Sequence, residues 1–154
     1  MKTIIIYYSR SGATESLAQL IARLTGGELC RVQPAEPYSD DYRATVERAK
    51  AELAAGAAIG LAGRLPDVTG FDAVLAGTPN WCGLMAPPVS SALARLPLEG
   101  KLLAPFCTNG GGGFGRIEAQ LAALCPGARL LPGYQCRRAD EEAVRAWLAG
   151  IDLL

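Results

Sequence analysis

Met1-Lys2-Thr3-Ile4-Ile5-Ile6-Tyr7-Tyr8-Ser9-Arg10-Ser11-Gly12-Ala13-Thr14 is the stretch that decides the fold. Its run of Ile and Tyr, closed by Ser-Arg-Ser-Gly, has the length and β-branched content of a buried strand over Lys2 to Tyr8. Thr14 to Leu24 follows with Leu17, Leu20, Ile21 and Leu24 at helical spacing, and Gly26-Gly27 stops it. A continuous apolar strand that passes at once into an amphipathic helix is the opening unit of an α/β fold with a parallel sheet.

The rest of the chain repeats that alternation. Glu28 to Val32 reads as a second strand, and Pro34 to Tyr42 as a loop. Tyr42 to Ala58 reads as an exposed Ala-rich helix, Gly60 to Gly70 as irregular, and Phe71 to Gly77 as a third strand. Thr78 to Pro88 is expected to be a loop before a helix near Val89 to Leu96. Lys101 to Thr108 reads as a fourth strand, Asn109 to Gly113 as a glycine loop, and Arg116 to Leu124 as a helix. Ala128 to Leu131 starts a fifth strand. Pro132-Gly133 interrupts it, and Tyr134 to Cys136 continues it. Asp140 is placed to cap a last helix with Val144, Trp147, Leu148 and Ile151 on one face. One domain over 1–154 is expected.

Composition narrows the chemistry. Half of the 154 residues are hydrophobic and 19% are charged, which excludes wholesale disorder. Fifteen basic residues balance fifteen acidic ones, so nothing marks a nucleic-acid partner. No apolar run reaches the roughly 18 residues of a membrane span, and the N-terminus lacks the features of a signal peptide. A cytoplasmic location is expected. With no His anywhere, His-based triads and zinc–imidazole sites are excluded, so any chemistry points to a cofactor. Cys30, Cys82, Cys107, Cys125 and Cys136 form no C-x-x-C pair, and all but Cys82 read as small apolar residues. No metal site is expected.

Ligands in such sheets sit beyond the carboxyl ends of the strands, so three loops matter. Ser9, Arg10, Ser11, Gly12, Ala13 and Thr14 offer backbone N–H groups, hydroxyls and a helix start to an anion. A plain capped helix start explains the same residues equally well. Pro79, Asn80, Trp81, Cys82 and Gly83 present a Trp suited to stacking on a flat ligand, or to folding back on the core. No neighbouring charge in the sequence activates Cys82 as a nucleophile. Thr108, Asn109, Gly110, Gly111, Gly112, Gly113 and Phe114 form a backbone wall. With Gly115 this loop matches G-x-G-x-x-G at Gly110, Gly112 and Gly115. It follows the wrong strand for a dinucleotide fingerprint, in which Arg137-Arg138 would meet a 2′-phosphate.

Together the loops resemble a known family. Tyr8-Ser9-Arg10-Ser11-Gly12-Ala13-Thr14 resembles the phosphate loop of flavodoxins. Gly77 to Gly83 followed by Pro87-Pro88, and Pro105 to Gly115, resemble its two flavin loops. Ala35-Glu36-Pro37-Tyr38 and Asp41-Tyr42 also look like this family. The likeness runs nearly end to end and is strongest to a short bacterial subgroup. Ala13 stands where the family often has Asn, Cys82 where close relatives carry an aromatic, and Asn109 where they carry His. The resemblance implies a doubly wound sandwich on a five-stranded parallel sheet, order 2-1-3-4-5, with helices on both faces. It implies non-covalent FMN, with the phosphate in Ser9–Thr14 and the ring between the Pro79–Gly83 and Thr108–Phe114 loops. It further implies that a carbonyl from Trp81 to Gly83 reorients near the flavin, a change that Gly83 eases.

The function so implied is an electron carrier cycling FMN through oxidised, semiquinone and hydroquinone states. It would be a monomer in transient contact with a reductase and an acceptor. The alternative is a small FMN-dependent NAD(P)H:quinone or other acceptor oxidoreductase. A flavin-free binding domain comes third.

Overall fold

The computed structural model describes residues 1–56 and 58–154. The chain runs β1 (Thr3–Tyr7), α1 (Ala13–Thr25), β2 (Glu28–Arg31), α2 (Tyr42–Ala55), β3 (Ala73–Trp81) and β4 (Leu84–Met85). It continues through α3 (Pro87–Arg95), β5 (Leu102–Thr108), α4 (Ile117–Leu124), β6 (Arg129–Leu130), β7 (Tyr134–Cys136) and α5 (Glu141–Gly150). The parallel sheet has the order β2-β1-β3-β5-β6, with β7 also on β5 and β4 antiparallel to β3.

The α/β fold and the five sheet positions agree with the sequence reading, but the sheet has seven strands rather than five. One extra strand comes from the break in the fifth position. Three steps from Leu103 to Phe106 on β5 are matched by four from Leu130 to Tyr134, so the outer chain bulges. The cause is Pro105. Leu103 accepts from the Leu131 N–H, so alternate residues of β5, Pro105 among them, face this neighbour. Pro105 has no N–H to offer it. Gly133 fills the gap closely, since a Cβ there would lie 2.6 Å from the Pro105 carbonyl oxygen.

The other extra strand corrects the expected Thr78–Pro88 loop. β3 continues through Pro79 to Trp81, turns at Cys82-Gly83, and returns as β4. Pro79 does not end the strand because it faces the side of β1, which has already stopped at Tyr7.

Alternating strand residues supply two cores. Ile5, Tyr7, Ala73, Leu75 and Phe106 pack with Leu17 and Ile21 of α1 and with Val144 and Leu148 of α5. Ile4, Ile6, Val74, Ala76 and Leu103 pack with Val89 and Leu93 of α3 and with Ile117 and Leu121 of α4. α1 ends at Gly26 in the left-handed conformation, its N–H on the Ala22 carbonyl. α2 ends at Ala55 with Gly56 as its cap, short of the expected Ala58, and Ala57 lies outside the described residues. α3 starts two residues early, on Pro87-Pro88, whose missing N–H groups cost nothing in a first turn. Asp140 caps α5 by accepting the Glu142 N–H. Trp147 packs on Tyr134 and donates its indole N–H to the Pro132 carbonyl. Among the described residues no helix is long and apolar enough to cross a membrane.

Cys107 and Cys125 are buried, Cys30 and Cys136 half-buried and Cys82 exposed, and all five are free thiols. Burial pushes the Cys107 thiol up from about 9 to about 12. A folded-state pKa above the unfolded one means that the native chain binds more protons between those values. Stability is therefore expected to fall as pH rises from about 9 towards 12. Urea midpoints at pH 8 and pH 10.5 check this, since Cys107→Ala should lessen the drop.

Candidate functional site

The carboxyl ends of β1, β3, β5 and β7 open on one cavity of about 560 Å3. That lies within the usual range of roughly 300–1,000 Å3 for small-molecule sites. The start of α1 forms one end. Gly12, at φ +101°, turns the chain into the helix, and Ser16 N–H bonds back to its carbonyl. The N–H groups of Ala13, Thr14 and Glu15 fall in the first turn and have no intrahelical acceptor. Arg10, Ser11, Ala13 and Thr14 line this end. The buried Thr14 hydroxyl lies 2.7 Å from that of Thr108, joining the helix start to the end of β5.

The opposite wall is Pro79, Asn80, Trp81 and Cys82. The sequence left Trp81 either stacking on a ligand or folded on the core, and the structure gives it both surfaces. Trp81 meets Tyr38 and Tyr8 edge-on, with ring centroids 5.0 and 5.7 Å away, and it still lines the cavity. Tyr38 is itself fixed by donating to Glu52 at 2.6 Å, under the Arg48 guanidinium. Burial and that hydrogen bond raise the Tyr38 pKa, so it stays a donor.

Thr108, Asn109 and Gly110 close the third side. Asn109 is braced on three sides, by the Cys136 carbonyl, Gln135 and the Gly111 N–H. The remaining proposed site residues do not line the cavity. Ser9 turns inward and accepts the Gly12 N–H at 3.1 Å, so it shapes the loop. Gly83, Gly112 and Gly113 serve loop-to-loop contacts, Gly111 donates its N–H back to Asn109, and Phe114 packs on the core. The literal G-x-G-x-x-G is thus split: Gly110 lines the cavity, and Gly115 is a packing position. A Cβ on Gly115 would lie 2.7 Å from the Gly83 Cα.

Four lining residues escaped the sequence reading: Tyr42, Thr45, Val46 and Ala49 of α2. Only Thr45 and Ala49 of this helix are buried, so its polar pattern hid the face that borders the cavity. Arg137 also lines it. Arg10 donates to the Ser39 and Asp40 carbonyls, and neither Arg10 nor Arg137 forms an ion pair among the described residues. Among the described residues no carboxylate lines the cavity. Two guanidinium groups, a helix start, hydroxyls and flat walls fit a planar ligand that ends in a dianion.

A family model described as flavodoxin matches residues 2–151. The chain belongs to the flavodoxin family. A candidate flavoprotein from Bacteroides eggerthii is 28% identical, with TM-score 0.89 and 98% of each chain covered. A flavoprotein from Lactobacillus acidophilus, crystallised in complex with FMN, is 24% identical, with TM-score 0.77 and coverage of 95% of this chain and 97% of that one. The two-electron reduced flavodoxin of Megasphaera elsdenii shares the fold at 19% identity, with TM-score 0.61 and coverage of 96% and 98%. No curated protein matches. Within the flavodoxin fold, the cavity occupies the place where the sheet order reverses, between β1 and β3.

Proposed function

We propose that this flavodoxin-family protein holds one FMN in the cavity and carries electrons between redox proteins. The observation that supports it most is the convergence of the α1 start, the Trp81 wall and the Thr108–Gly110 wall on a cavity without carboxylates. When bound, FMN supplies one- and two-electron redox chemistry. Ser11, Ala13 and Thr14 would take the phosphate, with Arg10 and Arg137 neutralising it. Pro79 to Cys82 and Thr108 to Gly110 would flank the ring and exclude water from it. Exchange is read as transient contact by a monomer, because small interfaces suit rapid turnover of partners. Five free thiols suit the reducing cytoplasm.

A second reading is direct reduction by NADH or NADPH on behalf of a small acceptor. The balanced overall charge and the Arg137-Arg138 pair favour it, since a carrier would steer basic partners with an acidic surface.

The visible spectrum of the purified protein and an FMN titration test the cofactor. Rapid mixing with NADH or NADPH then separates the readings. Flavin bands that bleach only through a reductase protein support the carrier, and direct bleaching at a turnover rate supports the second reading. Failure to bind added FMN removes both.

Trp81→Ala should raise the fluorescence of bound FMN severalfold if the indole stacks on the ring. A variant as dark as the wild type would assign Trp81 to the Tyr8–Tyr38 cluster alone.

A further inference from the structure

The Cys82-Gly83 turn is tied down from three directions. Both residues have positive φ, +55° and +82°, as the two-residue type I′ hairpin turn requires. The Gly83 N–H donates to Asn80 Oδ1 at 2.8 Å, and the Gly83 carbonyl accepts the Arg116 N–H at 2.7 Å. Asn80 Nδ2 meanwhile donates to the Gly113 carbonyl at 2.8 Å. One side-chain amide therefore joins the tip of the hairpin to the glycine loop, using both of its ends.

Reversing the central peptide of this turn would break the Asn80–Gly83 bond. It would also convert the turn to type II′, whose first central position is suited to glycine. That position here is Cys82. The sequence reading assigned Gly83 the freedom to let a carbonyl reorient, but the restraint falls on the residue before it.

We propose that Asn80 is a positioning residue that locks the Cys82-Gly83 turn and the glycine loop into one rim. The rim then presents the same peptide orientation to every redox state of a bound flavin. A protein shifts an equilibrium between states only by interacting with them differently. A peptide free to reverse offers each state a different hydrogen-bonding group, and a locked one does not. The second half of this inference rests on the FMN reading, and the first half does not.

Amide hydrogen exchange of Gly83 in the FMN-free protein tests the lock. Asn80→Ala should speed it roughly tenfold, the loss of about one net hydrogen bond. Asn80→Asp keeps the acceptor for Gly83 and removes the donor to Gly113, so Gly83 protection should stay near the wild type. Unchanged Gly83 exchange in Asn80→Ala, or equal loss in both variants, overturns the lock. In the FMN-loaded protein, the gap between the two one-electron midpoint potentials should widen in Asn80→Ala; Asn80→Asp is read by exchange alone, because its carboxylate would stand in the cavity wall and shift the potentials by charge. A gap that ignores Asn80→Ala while Gly83 is deprotected overturns the redox half. If no variant and no wild type binds FMN, the cofactor reading falls and takes the redox half with it, while the exchange result still decides the lock.

Discussion

Gly12→Asp protein should emerge from purification colourless, beside a wild type that retains FMN. A Cβ on Gly12 meets nothing within 4 Å, so the substitution starts without a clash and the circular dichroism spectrum should be preserved. Its carboxylate would stand at the start of α1, where the phosphate is proposed to bind. A charge roughly 5 Å from a dianion at an effective dielectric of about 40 costs about 3 kcal/mol, or a hundredfold in affinity. Backbone strain contributes too, because φ at this position is +101°. Gly12→Ala separates the effects, since it carries the strain without the charge and should retain most of the binding. Equal FMN affinity in Gly12→Asp and the wild type would remove the phosphate from this loop.

The second large effect is expected at the centre of the sheet. Gly77 of β3 pairs with Phe106 of β5, and a Cβ on Gly77 would lie 2.2 Å from the Phe106 ring. Phe106 is fully buried between α1, α5 and the sheet, so the ring has nowhere to move. Gly77→Ala should therefore destabilise the protein by about 3 kcal/mol, the upper end for overpacking. For a chain of this length that is a fall of roughly 10 °C in Tm. Adding Phe106→Leu should recover part of the loss. A Gly77→Ala variant within a degree of the wild type would show that the strands separate more easily than their packing indicates.

The legible parts of the fold were those where one local signal decides. The Ile4–Ile6 run, the Gly26 stop and the Asp140 cap each settle an element without help from distant residues. The end of β3 was hidden because Pro79 reads as a breaker, and only the length of β1 shows that its missing N–H matters to nothing. The break between β6 and β7 was visible at Pro132-Gly133, but its cause, Pro105, lies on another strand.

Of the cavity lining, loop composition pointed to Arg10, Ser11, Ala13, Thr14, Pro79 to Cys82 and Thr108 to Gly110. It could not separate residues that line the cavity from those that shape it, such as Ser9 and Gly113. That difference rests on hydrogen bonds across 3 residues in one case and 33 in the other. The α2 residues were missed because a helix face reveals a cavity only once its neighbours are in place.

The bulge opposite Pro105 has a consequence for how molecules meet at high concentration. A growing fibre needs a straight row of unpaired N–H and C=O groups on which the next chain can add. One flank of this sheet offers two residues of β6 and three of β7, out of line and separated by a proline. The other offers the four residues of β2, with Glu28 and Arg31 at its ends. Neither flank is a template, so the protein would not polymerise through its own sheet even when crowded.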